Sequence, residues 1–348
     1  MARAEQTAPN AELRGGRARR LRLAGAVAAP AVLLLLTVLS IAIGSNDFGM
    51  SAVYDALFHN TGTVDETVVT QLRVPRTLLG LAVGAALGVG GALMQALTRN
   101  PLADPGLLGV NAGASTGIVV AIGALGITSP TGYVWFGLLG AAIVSVAVYL
   151  LGAGGSGGAN PVRLALAGTA VTATLTAFIS GALLLDPTAF DQFRFWDVGA
   201  LAGRGYPVID EVTPFIAVGL VIALLLARPL NALALGDEGG RALGVRVGRC
   251  RAVAMVAITL LCGAATAAAG PIVFVGLIVP HIARSLVGPD QRVVLPLSAV
   301  LGAILLLAAD IVGRVVLAPG ELEVGIVIAF LGAPVFIGFV RRRRIPQL

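Results

Sequence analysis

The sequence predicts an all-α, polytopic membrane protein with about ten transmembrane helices and both termini in the cytoplasm. Three observations carry that prediction. Hydrophobic residues make up 57% of the 348 while charged residues make up 12%, and mean hydropathy is +0.92. Apolar runs long enough to cross a hydrocarbon layer of about 30 Å recur from end to end. Basic residues flank those runs asymmetrically, and cytoplasmic flanks are the ones that collect positive charge.

In chain order, residues 1–22 form a polar cytoplasmic tail carrying Arg3, Arg14, Arg17, Arg19, Arg20 and Arg22. The apolar run Leu23–Ile43 follows, which is longer than a signal-peptide core and reads as a retained first helix. At the other end, Ile326–Val340 runs into Arg341, Arg342, Arg343 and Arg344, so residues 341–348 are a second basic cytoplasmic tail. The transmembrane domain is 23–340, with helices expected at 23–44, 74–97, 106–125, 133–152, 162–185, 207–227, 250–269, 273–287, 293–317 and 323–340. Alternating the loops places 19 of the 24 arginines on the cytoplasmic side and leaves Arg73, Arg76, Arg194, Arg204 and Arg314 outside. At about 1.5 Å per residue, 273–287 spans ~21 Å and reads as a partial span. Phe190–Leu201, with Trp196, has the amphipathic look of a helix lying in the outer membrane interface.

The longest charged interruption is Arg228–Arg251. Its centre, Gly236, Asp237, Glu238, Gly239, Gly240, Arg241, Ala242, Leu243, Gly244 and Val245, reads as one or two helical turns. Asp237 is suited to cap the N-terminus and Gly244 to end the turn. A helix that short is marginal in water by itself. It needs a surface to dock on, and the surface expected is that of another protein.

Within the spans, Gly80, Gly84 and Gly88 recur every four residues, with Gln95 on the same face, a spacing that lets a second helix approach closely. Gln95, Asn111, Ser115 and Thr116 are polar at membrane depth, where they face protein or a water-filled path in preference to lipid. They serve either helix packing or a translocation path. Asp310 would suit a proton-coupled carrier, but Arg314 lies four residues on and can pair with it.

Several chemistries are excluded. All 24 basic residues are arginine, so the chain has no lysine for a phosphate-binding loop or a Schiff base. Two histidines, His59 and His281, and two cysteines, Cys250 and Cys262, are too few and too scattered for a metal site. No paired catalytic acids and no nucleophile–base constellation sit in the spans.

Five stretches together resemble one family: Arg73-Val74-Pro75-Arg76; Gly91 to Ser115, which contains Asn100-Pro101-Leu102-Ala103-Asp104-Pro105; Gly236 to Val245; Gly270 to Arg284; and Ala309 to Arg314. They resemble, in order and over essentially the whole chain after the tail, the permeases of ATP-driven importers for iron-siderophores, haem and vitamin B12. The resemblance implies a bacterial inner-membrane subunit. It would pair with a second permease copy or paralogue, stand on two cytoplasmic ATPase subunits that bind the ATP, and receive cargo from an extracytoplasmic binding protein. Neither a cofactor on this chain nor a nucleic-acid partner is implied. On this resemblance, residues 228–251 are the ATPase coupling loop, with Gly236–Val245 as its contacting centre, and Arg73, Arg76 and Arg314 receive carboxylates from the binding protein. The acids Asp47, Asp55, Asp65, Glu66, Glu321 and Glu323 surround those arginines. Ferric siderophore is the first expectation for cargo, with cobalamin and haem as alternatives.

Overall fold

The computed structural model describes residues 25, 27–44, 50–59, 62–153 and 161–341. The two arginine-rich tails, apart from Arg341, and Asp47 lie outside the described residues. Among the described residues every regular element is helical. Six helices are long and apolar enough to cross a membrane: 64–98, 130–153, 162–185, 205–233, 247–269 and 291–316. Four shorter apolar helices, Val27–Ala42, Val110–Ala124, Val275–Val287 and Val324–Gly338, fall on the remaining expected spans.

Numbered in chain order, α1 is Val27–Ala42, α2 Met50–Phe58, α3 Val64–Val68 and α4 Val74–Thr98. A π-helical turn, Val69–Arg73, joins α3 to α4 without a break. A 3₁₀ turn, Pro105–Leu108, leads into α5, Val110–Val119; α6 is Pro130–Ala153, α7 Pro161–Leu185 and α8 Pro187–Asp197. Then come α9, Gly205–Leu233; α10, Asp237–Ala242; α11, Val247–Ala269; α12, Val275–Val287; α13, Gln291–Val316; and α14, Val324–Arg341.

Helix α4 is the centre of the bundle. Leu79, Val83, Ala86, Ala92 and Leu93 on it are fully buried, and it packs against α13, α11, α12 and α9. The glycine row explains its closest approach. A Cβ on Gly84 would lie 2.6 Å from the Ala303 Cα and equally close to the Gly302 carbonyl oxygen, so α4 and α13 cross with backbones in contact. Gly88 meets the Ser298 carbonyl of the same helix, and Gly91 meets Gly276 of α12. In lipid, where apolar association gains little from water release, contact this close is what dispersion and packing require.

Three local expectations are corrected. Residues 228–233 continue α9 as helix beyond Pro214 and Pro229, so the polar interruption is shorter than 228–251. Both prolines lie within helix that packing holds in place. The segment around Trp196 forms α8, but Trp196 is 1% exposed and its Nε1 donates to the Ala267 carbonyl at 3.2 Å. It is therefore a core anchor and not an interfacial aromatic. α2 and α3 lie where no helix was expected, because both are short and neither has the length of a span.

Candidate functional site

The candidate coupling and docking residues fall at the two ends of the bundle. At the end where α4 begins, Asp310 of α13 is fully buried between two guanidinium groups. Arg76 reaches it from α4 in bidentate fashion: Nε lies 3.0 Å from one carboxylate oxygen and 3.2 Å from the other, and one terminal nitrogen lies at 2.8 Å. Arg314, one turn along α13, donates to the other oxygen. The pairing expected from the i,i+4 spacing is therefore present, and Arg76 joins it from a second helix. The second terminal nitrogen of Arg76 donates to Glu321 at 2.6 Å, on the loop between α13 and α14.

Arg73 and Arg314 have a further task, visible only in three dimensions. The last carbonyls of a helix have no intrahelical partner and carry the negative end of its dipole. Arg73 donates to the carbonyls of Ile41 and Ala42 at 3.1 and 2.7 Å, and Arg314 donates to those of Ser40 and Ile43 at 2.6 and 3.1 Å. Between them they cap the end of α1. Gly44 passes over the Arg73 guanidinium so closely that a Cβ there would collide with it. Arg73 and Arg314 are accordingly only 6% and 1% exposed. With Arg76, Glu321, Leu72, Gly203 and their neighbours they line a cleft of about 290 Å³. On the same loop, burial raises the Glu323 carboxyl above the usual carboxylate range, opposed by the charge of Arg76.

At the other end, α10 is a six-residue helix. Its N-cap is Gly236, with a positive φ of 96°, and no side chain caps it. Asp237 was expected in that role. It occupies the first helical position instead and accepts from Arg99 at 3.1 Å and Arg251 at 3.0 Å, tying α10 to the ends of α4 and α11. Gly244 ends the helix as expected. Its φ is 82°, its N–H bonds to the Arg241 carbonyl at 2.9 Å, and Val245 N–H reaches back to Gly240 at 2.9 Å, the paired closure of a Schellman motif. Gly240 is buried against Leu233, whereas Glu238, Arg241, Ala242 and Leu243 face outward. Leu235, just before α10, and Leu243, its C-cap, are 71% and 62% exposed.

Of the polar groups at membrane depth, Gln95 is fully buried and bonds within the chain. Pro280 lacks the N–H that would reach the Gly276 carbonyl one turn back in α12. Gln95 Nε2 serves that carbonyl at 3.1 Å and the Leu277 carbonyl at 3.2 Å, while Arg284 donates to its Oε1. Asn111 accepts from Thr266 at 3.0 Å, joining α5 to α11, and Thr116 bonds to its own helix at Ala112. Ser115 is 7% exposed. Asn100 and Asp104 shape the turn after α4, accepting from the N–H groups of Leu102 and Gly106 at 3.0 and 2.8 Å. Burial raises the Asp104 carboxyl, and its bond from Gly106 opposes the shift.

A family profile described as the FecCD transport family matches residues 32–342. The chain belongs to that family. It is 48% identical over 91% of its length to the ferric enterobactin transport system permease protein FepD of Escherichia coli, covering 96% of that protein. It is 37% identical to the hemin transport system permease protein HmuU of Yersinia pestis, covering 89% of this chain and 95% of that one. Among solved structures, one described as an inward-facing conformation of a metal-chelate type ABC transporter superposes with a TM-score of 0.80 at 27% identity. That match covers 90% of this chain and 98% of the other. The protein is thus a multi-pass membrane permease of the iron-siderophore and haem importer family, a transport subunit.

Sequence reasoning missed the roles of Ser40, Arg99, Arg251 and Arg284, and it placed Glu321 only among the surrounding acids. Ser40 and Arg99 carry no local signal, since their partners lie tens or hundreds of residues away. Asking which side chain answers the carbonyl that Pro280 leaves open could have placed Gln95 against α12, where Arg284 lies one turn beyond Pro280.

Proposed function

We propose that this chain is the membrane-spanning subunit of an ATP-driven importer that takes ferric siderophore from an extracytoplasmic binding protein into a bacterial cytoplasm. The observation that carries the cargo assignment is the 48% identity to a ferric enterobactin permease over 96% of that protein's length. Permeases for Fe(3+)-citrate and iron(3+)-hydroxamate at 41% and 40% identity add weight. The hemin permease stands lower, at 37%. In this reading the α10 end is cytoplasmic, and the exposed Leu235 and Leu243 seat α10 in a groove on one of two ATPase subunits, which bind and hydrolyse the ATP. Around α10, Gly236, Asp237, Glu238, Arg241, Ala242, Gly244 and Val245 present and orient that contact. The cleft at the opposite end docks the binding protein. Arg76 faces the partner there, and Arg73 and Arg314 form the floor beneath it.

A second copy or a paralogue completes the transport path, with Gly84, Gly88, Gln95, Asn111 and Ser115 serving the packing that frames it. Gly84, Gly88 and Gln95 support this by bonding or packing to α12 and α13, and Asn111 by bonding to α11. A proton-coupled carrier using Asp310 is disfavoured, because two guanidinium groups already bond a carboxylate with no solvent exposure. The test is uptake in a deletion strain complemented with this gene, offered labelled ferric siderophore, haem and cobalamin side by side. Restored accumulation of the siderophore alone is expected, and rescue confined to haem or cobalamin contradicts the cargo assignment.

A further inference from the structure

We infer that the α4–α13 cleft accepts one partner carboxylate, on the outer edge of Arg76, and that Glu321 of this chain occupies that edge until the partner displaces it. This rests on the docking reading above and refines it from three arginines to one exchangeable contact. Arginine presents its five N–H donors as a rigid planar fork, and each edge can take a carboxylate. On Arg76 the edge formed by Nε and one terminal nitrogen is committed to Asp310, which is 0% exposed and also held by Arg314. Breaking that contact would strand buried charge. The remaining nitrogen meets Glu321 at 2.6 Å, and the Glu321 side chain is 28% exposed, on a connecting loop at the rim of the cleft.

The other two arginines are engaged in capping α1, so an incoming acid that displaced them would unmake a helix end. The Glu321 side chain is instead 28% exposed at the rim, where water can take up its charge while an incoming acid of the same chemistry replaces it on Arg76. The chain's own glutamate thus stands in for the partner's carboxylate, keeps the guanidinium oriented in its absence, and sets how strongly a partner must compete.

The experiment uses the permease with its ATPase subunits in lipid nanodiscs and a ferric-siderophore-binding protein from the same organism, with affinity read by surface-immobilised binding at two salt concentrations. Glu321→Gln should tighten the complex about three- to tenfold. Glu321→Asp keeps the charge but withdraws the carboxylate by about 1.5 Å, beyond hydrogen-bonding reach, and should behave as Glu321→Gln does. Arg76→Lys keeps a cation on Asp310 but loses the second edge, and it should weaken docking. The tightening should persist at high salt, where a change in general field would be screened. If Arg76→Lys weakens docking while both Glu321 variants match the wild type, the exchange is overturned and the docking site stands. Tightening in Glu321→Gln but not in Glu321→Asp overturns it too, since charge alone would explain the gain. If Arg76→Lys also leaves affinity unchanged, the docking reading itself fails.

Discussion

The two ends of this bundle are built on the same motif, an aspartate held between two arginines, and they differ in burial. Asp310 is 0% exposed between Arg76 and Arg314, whereas the Asp237 side chain is 29% exposed between Arg99 and Arg251. Burial removes the water that would otherwise stabilise each charge, so the first triad depends on protein partners alone: on one another, on Glu321 and on the α1 carbonyls. The second triad stays partly solvated, and each of its contacts is weak. The first therefore fixes α1, α4 and α13 as a frame. The second ties a short helix to the ends of α4 and α11 through contacts that stay partly in water.

The contrast can be broken most directly at its rigid end. Asp310→Asn leaves two buried guanidinium groups facing a neutral amide, and it should cost about 3–5 kcal/mol. The readout is thermal unfolding in mild detergent, with a large drop in midpoint or in folded yield; a variant as stable as the wild type would remove the frame. Next in size is Gly84→Leu, which drives a side chain into the backbone of α13 where even a Cβ would sit 2.6 Å from the Ala303 Cα. Overpacking should cost about 1–3 kcal/mol or more and should separate α4 from α13, as a cross-link between the two helices would report.

At the open end, Asp290 caps α13 through the Arg292 N–H at 2.9 Å and accepts from Asn231 at 2.6 Å. Those bonds, the Arg292 N–H first, hold its carboxyl below the usual range. Asp290→Ala should cost about 0.5–2 kcal/mol at neutral pH. A depressed folded value means that this stabilisation is present above the unfolded value near about 3.9 and is lost as pH falls through the folded one. The gap between wild type and variant should therefore close in acid below about pH 4, and a gap that is constant with pH would contradict the assignment. The smallest stability effect belongs to Asp237→Asn, within about 1 kcal/mol because the Asp237 and Arg99 side chains are 29% and 37% exposed. Its consequence should appear instead in transport per ATP hydrolysed, which falls as α10 loses its orientation.

Much of this was legible in the sequence. Apolar length gave the spans, the glycine row gave a close helix approach without naming α13 as the partner, and the four-residue spacing of Asp310 and Arg314 gave their ion pair. The end of α10 was legible from Gly244, because glycine is what positive φ demands, whereas its N-cap was expected at Asp237 and falls on Gly236. What escaped was long-range. Arg76 meets Asp310 across 234 residues and Glu321 across 245, and no local pattern records such a meeting. Trp196 was misplaced for a related reason: a tryptophan at the edge of a span suits an interface and a core equally, and only the Ala267 carbonyl decides between them.

The central claim is that the frame is held at one end while the α10 end carries energy from an ATPase partner. Leu243, 62% exposed at the tip of α10, is the place to test it. Leu243→Asp puts a charge where an apolar groove is expected, without touching the fold. The measurement is ATP-driven uptake of labelled ferric siderophore by proteoliposomes holding the reconstituted transporter. Wild-type membrane insertion with uptake abolished is the predicted result. A variant that still co-purifies with the ATPase at normal yield and imports at the wild-type rate would contradict it.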